Sequence, residues 1–352
     1  MSAQTILTLP DDLESSPRPR GRLRRWGGVL VRWLGGALLC RTPLTAAWVL
    51  GWLLRRAEGA TWRRLHALGG HDAPERRTEG VWARAKDAAT LGLQGAATTW
   101  LLTGPGAVLW WFGWRYGWDN SFLKGYESAA IGPLTSLLGV ALFIAAMAVG
   151  PMGQARLAFT RSWRAALDVS LLWRLARRRW PGGVLLAGGY AALGLPILVM
   201  WMAIALAPVN RWEMADWTEA QAADWLGGQF LLYALLCLPW LVALRRAAGR
   251  WYASALVSAV QAGDVGLAAL HRTEVDTLRA LGLLTVRDHP DRHRLVRFAA
   301  WSATRMGRAT GLVVLGGLWF LFVAQIFVAQ FFHYRSGVGW LNLPAVHLPW
   351  FG

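Results

Sequence analysis

Residues 131–150 read IGPLTSLLGVALFIAAMAVG, and these positions decide the class of fold. They hold no Asp, Glu, Lys or Arg, over the length of about 20 apolar residues that a helix needs to cross a bilayer core of about 30 Å. Four more windows of this kind lie on either side, at 91–113, 183–207, 228–244 and 309–332, and none carries a charge. The 228–244 window is the shortest and extends N-terminally through Trp225-Leu226-Gly227. The fold expected is all-α: a polytopic transmembrane helical bundle of about five spans plus short interfacial helices.

Composition agrees with lipid as the solvent. Of 352 residues, 55% are hydrophobic and 16% charged, against about 45–50% and about 25% in an average soluble domain. There are 24 Trp against 6 Tyr, and the indole ring settles at the headgroup level. The net charge is +17, and almost all of the basic residues are Arg. Beside apolar spans, that excess reads as orientation control and contact with the anionic inner leaflet rather than with nucleic acid. Cys40 and Cys237 sit in apolar surroundings and read as small fillers, with no CxxC or disulfide spacing. No apolar run opens the chain, so no cleavable signal peptide is expected.

The basic residues also orient the chain. With five spans and a cytoplasmic N-terminus, the outer segments are 114–130, 208–227 and 333–352. These hold Arg115, Lys124, Arg211 and Arg335, which leaves 33 of the 37 Lys and Arg inside, as the positive-inside rule requires. The 208–227 loop adds Glu213, Asp216, Glu219 and Asp224 to its single Arg. The location expected is a bacterial inner membrane, with the C-terminus in the periplasm.

Around the spans the chain divides as follows. Residues 1–25 read as a disordered cytosolic tail. In 26–54, Arg32, Arg41 and Pro43 interrupt the apolar pattern, and Trp26, Trp33, Trp48 and Trp52 favour the headgroup level. This stretch reads as two short interfacial or re-entrant helices, with a span or true hairpin as the alternative. Residues 55–90 form a cytosolic linker, helical near 78–90. The bundle occupies 91–332, with cytosolic segments 151–182 and 245–308, and Gly263-Asp264 marks a break in the latter. Residues 333–352 are an outer interfacial tail.

Five features are candidates for function. The outer loop mixes aromatic and polar groups in Trp118, Asp119, Asn120, Lys124 and Glu127, which suits a headgroup, a sugar or a partner helix, though an ordinary aromatic belt gives the same pattern. Trp340, Asn342 and Trp350 lie in the apolar tail, which must rest on the membrane surface or on another subunit. Along 156–180, Arg161, Arg164 and Asp168 fall on one helical face and Phe159, Trp163, Leu167 and Leu171 on another. That is the pattern of a basic amphipathic helix lying in an anionic leaflet, ending in Arg177, Arg178 and Arg179. His289 and His293 are four apart, but Pro290 between them argues against a helical metal pair. The windows themselves offer only neutral polar groups such as Gln94, Thr98, Thr99, Thr103 and Gln325, which disfavours proton coupling. Gly104-Pro105-Gly106 and Pro196 predict kinks or a broken helix.

No GxSxG, HExxH, Walker loop or GxGxxG is present, and no cofactor or metal is expected. The strings Gly117-Trp118-Asp119-Asn120-Ser121-Phe122 and Gly339-Trp340-Leu341-Asn342-Leu343-Pro344 resemble segments of proteobacterial multi-pass inner-membrane proteins. That resemblance covers most of 40–352 and implies bacterial origin without implying a mechanism. The reading is a non-enzymatic scaffold, assembly or accessory subunit, with lipids and other membrane subunits as partners. The alternative is a transporter or flippase for a small or amphiphilic solute, with a polar cavity near Gly104-Pro105-Gly106 and Gln325.

Overall fold

A computed structural model describes residues 22–40, 43–72, 80–113, 131–210, 218–285 and 294–331. All regular structure among them is helical. In order the helices are α1 (Arg22–Leu39), α2 (Pro43–Gly69), α3 (Val81–Phe112), α4 (Ile131–Thr160), α5 (Trp163–Ala166), α6 (Val169–Arg178), α7 (Trp180–Asn210), α8 (Glu219–Gln261), α9 (Arg272–Ala280) and α10 (Arg294–Phe331). A single 3-10 turn, Leu267–Ala269, lies between α8 and α9.

The expected breaks are present. Pro43 opens α2, which separates it from α1. Gly263, at φ 72°, closes α8 in the left-handed conformation that glycine adopts without steric cost. A helix begins at Val81, inside the stretch expected to be helical.

Two boundaries differ from expectation. α2 does not stop near residue 54. It runs on through Arg55 and Arg56 to Gly69, because Ala57, Ala60, Thr61 and Leu65 continue its buried face. The segment 156–180 is not one amphipathic helix. α4 carries Arg156 and ends at Thr160, Arg161 takes φ 58°, and two short helices follow. Ser162 caps α5 by accepting from the Ala165 N–H at 3.3 Å, and Asp168 caps α6 by accepting from Leu171 at 3.0 Å. These caps satisfy helix N-termini and place Arg161, Arg164 and Asp168 on three separate elements. α3 also passes through Pro105 unbroken.

Among the described residues, two stretches are long and apolar enough to cross a membrane: α4, and Ser302–Gln325 within α10. Their apolar windows are only 28% and 22% buried. α4 changes character along its length. Ile131, Leu134, Leu137 and Leu138 are exposed, whereas every residue from Met147 to Thr160 is buried. The core therefore gathers at one end, around the second half of α4, the C-terminal part of α8 and the middle of α2.

Helix pairs approach closely at glycines. A Cβ on Gly51 would overlap the Ala88 carbonyl, and one on Gly92 the Ala47 carbonyl, so α2 and α3 touch backbone to backbone. Gly106 and Gly139 do the same for α3 and α4.

Candidate functional site: a buried ion cluster and a basic rim

A fully enclosed ion pair lies inside the core. Arg156, on the enclosed half of α4, is 2% exposed and faces Glu274 of α9, which is 0% exposed. Arg156 Nε donates to Glu274 Oε1 at 2.7 Å and Nη2 donates to Oε2 at 2.8 Å. This is the bidentate fork that makes Arg–carboxylate pairs strong and directional. The remaining lone pairs and N–H groups are also used. Tyr252 of α8 donates its O–H to Glu274 Oε1. The His271 N–H donates to Oε2 at 2.6 Å, closing the N-terminal turn of α9. Arg156 Nη1 donates to the Ala165 carbonyl at 2.7 Å and lies 3.8 Å from Asp168.

One ion pair thus ties together α4, α5, α8 and α9. Burial pulls the Arg156 guanidinium down, but the hydrogen bonds and charge of Glu274 outweigh it and hold the group above its ordinary range. Burial, then the Glu274 charge, pushes the Tyr252 phenol well up, so it remains an O–H donor. A buried charge without a partner is costly, whereas a mutually satisfied cluster holds elements in register. The arrangement is a structural clamp, and its hydrogen-bonding groups are occupied by the protein itself.

Around the clamp runs a basic rim. Arg161 reaches Glu58 at 3.0 Å and Asp87 at 3.3 Å, and Asp87 also meets Arg55 at 3.1 Å. Arg178 pairs with Asp264 at 3.3 Å, and Arg179 Nε donates to Ser258 Oγ at 3.0 Å. Arg164 stacks over its neighbour Trp163 at 5.7 Å. Arg177 lines a cleft of about 230 Å³ with Trp173, Trp180 and Arg308. The five arginines singled out as headgroup contacts are spread over the Arg161 turn, α5, α6 and the junction at Arg179.

The outer-face candidates Trp118, Asp119, Asn120, Lys124, Glu127, Trp340, Asn342 and Trp350 lie outside the described residues, as do His289 and His293. Among the described residues, no group of three or more His, Cys, Asp or Glu is placed to hold a metal ion.

The threonines of the first apolar window bond within their own helix. Thr98, Thr99 and Thr103 donate to carbonyls one turn back, at 2.7, 2.8 and 2.8 Å. Gln154 of α4 donates across to Thr99. Where the sequence suggested a cavity wall at Gly104-Pro105-Gly106, Gly106 sits directly against Gly139 and Phe143.

The clamp itself escapes sequence reasoning because its two charges are 118 positions apart. One signal was available. The neighbours of Arg156 one helical turn away are Met152, Gly153, Phe159 and Thr160, so an uncharged surround already marks it as enclosed.

The chain matches no family model, no curated protein and no solved structure.

Proposed function

We propose that the chain is an inner-membrane protein of five spans, N-terminus cytoplasmic and C-terminus periplasmic, that acts through interactions as a scaffold, assembly or accessory subunit. The observation that carries the membrane reading is the outward-facing apolar surface of the two long windows. The core helix of a soluble protein is mostly enclosed, whereas these are 28% and 22% buried, and Leu137 and Val313 are 65% and 76% exposed. A water-facing surface of that kind is unfavourable and a lipid-facing one is not. Helix length supports the same reading. At 1.5 Å per residue, the 43 residues of α8 extend about 64 Å, enough to cross a core of about 30 Å and project well beyond it. The projecting end carries the clamp and the basic rim, in keeping with a cytoplasmic headpiece.

Interaction rather than catalysis is favoured because the most concentrated buried chemistry is consumed in holding four helices together. The test has two parts. The protein stays in the membrane pellet through an alkaline carbonate wash, and a periplasmic phosphatase fused after Ala155 is inactive; an active fusion overturns the topology. Extraction of native membranes in mild detergent yields the chain together with a second protein. A chain that runs alone overturns the scaffold reading.

A further inference from the structure

A crevice of about 710 Å³ opens where α2, the start of α7 and α8 meet. Four arginines line it: Arg63 and Arg64 from α2, Arg179 from the α6–α7 junction and Arg250 from α8. No Asp or Glu is among its lining residues. Arg64, Arg179 and Arg250 alone put three like charges around one opening, and such charges repel one another unless an anion sits among them.

Two of the guanidiniums, those of Arg64 and Arg179, are held in place. Arg64 Nε donates to Ser254 Oγ at 3.0 Å, Arg179 Nε to Ser258 Oγ at 3.0 Å, and Trp251 Nε1 to the Arg179 carbonyl at 2.6 Å. Arg250, Ser254 and Ser258 recur every four residues along one face of α8. Each Nε used this way leaves the two terminal nitrogens with four N–H donors for an anion, the fork geometry that suits phosphate.

Leu185, Leu186 and Leu244 add an apolar lining. Leu185 is 77% exposed and only six residues from Arg179, about 9 Å along a helix. Charge and oil-facing surface therefore meet at the crevice, where the apolar window of α7 begins.

We propose that this crevice is a binding site for a phosphate group carried on an apolar chain: an anionic phospholipid, its phosphate between Arg64, Arg179 and Arg250 and its acyl chain along Leu185. The volume fits, since ligand sites run about 300–1,000 Å³. The proposal rests on the membrane reading above.

The full chain, purified in an uncharged detergent, is offered phosphatidylglycerol, phosphatidylcholine or inorganic phosphate, and retained lipid and melting temperature are read together. Phosphatidylglycerol is retained roughly tenfold over phosphatidylcholine, the scale of losing or keeping one charge-assisted contact. Arg64→Gln with Arg250→Gln removes that preference, while Arg272→Gln, outside the crevice and 92% exposed, leaves it intact. Preference that survives the double substitution overturns the site, and an equal shift with inorganic phosphate alone overturns the lipid. Photoreactive phosphatidylglycerol on the unsubstituted protein gives a readout independent of variant folding. Its crosslinks fall within 60–67, 179–186 and 244–254, and crosslinks confined elsewhere overturn the site. Release of the chain by the carbonate wash rejects the membrane reading and this site with it; a chain that stays in the membrane without lipid preference rejects this site alone.

Discussion

At the scale of single residues, the clamp makes the sharpest predictions. Glu274→Gln or Arg156→Met leaves one charge buried without its partner, which costs about 3–5 kcal/mol, whereas replacing both with apolar residues of similar volume is often neutral or stabilising. Denaturant unfolding in detergent is expected to show each single variant strongly weakened and Arg156→Met with Glu274→Leu recovering most of the loss. Singles within about 0.5 kcal/mol of the parent, the range of an ordinary surface change, would remove the clamp from its structural role. Tyr252 adds a pH dependence. Its folded phenol lies above the unfolded value of about 10, so its stabilising contribution is complete below pH 10 and is lost as the pH rises beyond it. Melting temperature is expected to be level from pH 7 to 9 and to fall above about pH 10. Tyr252→Phe, which loses a hydrogen bond to a charged group of about 1.5–3 kcal/mol, should melt lower at neutral pH and show a shallower alkaline fall. An unchanged alkaline fall would place that titration elsewhere.

At the scale of helices, close approach governs. Gly51 and Gly92 let the α2 and α3 backbones touch, so Gly51→Leu must push the pair apart. Overpacking of this kind costs about 1–3 kcal/mol and sometimes more. The same substitution at Gly35, where a Cβ meets nothing within 4 Å, is expected to be nearly silent in the same melt, and equal effects at both would contradict the packing. Helix identities were legible in the sequence wherever a local rule governed. Pro43 separated α1 from α2, Gly263 ended α8, and the helix beginning at Val81 was placed inside 78–90. Helix ends failed where a tertiary contact overrode the local rule. A charge was read as the end of an apolar run, yet α2 continues past Arg55 because its opposite face is buried, and α4 continues past Arg156 because Glu274 receives it. The broken amphipathic helix at 156–180 failed for a related reason: periodicity alone does not register the Arg161 turn or the caps at Ser162 and Asp168.

At the scale of the whole molecule, the two cysteines offer a direct measure of integrity. Cys40, immediately after α1, and Cys237, on α8, are both buried thiols outside any disulfide. A thiol-reactive fluorogenic maleimide is expected to stay dark on the native protein and to brighten in a single step as it melts. Prompt labelling at room temperature would mean that α1 does not rest on α8 as the structure has it. Charge alone marked out Arg161, Arg164, Arg177, Arg178 and Arg179 as one basic stretch. That Arg161 meets Glu58 and Arg178 meets Asp264 depends on partners distant in sequence and could not be read from spacing.

The 118 positions between Arg156 and Glu274 also set a timetable for biogenesis. At about 5–20 residues per second, a ribosome needs about 6–24 s to travel from one to the other. Throughout that interval α4 has been made but its arginine has no carboxylate to meet, so the end of the molecule where the core gathers stays open. A nascent chain arrested before residue 274 should be far more sensitive to protease between 150 and 180 than one arrested beyond Ala280. On this timetable, closure of that end is expected to be a late event that waits for Glu274.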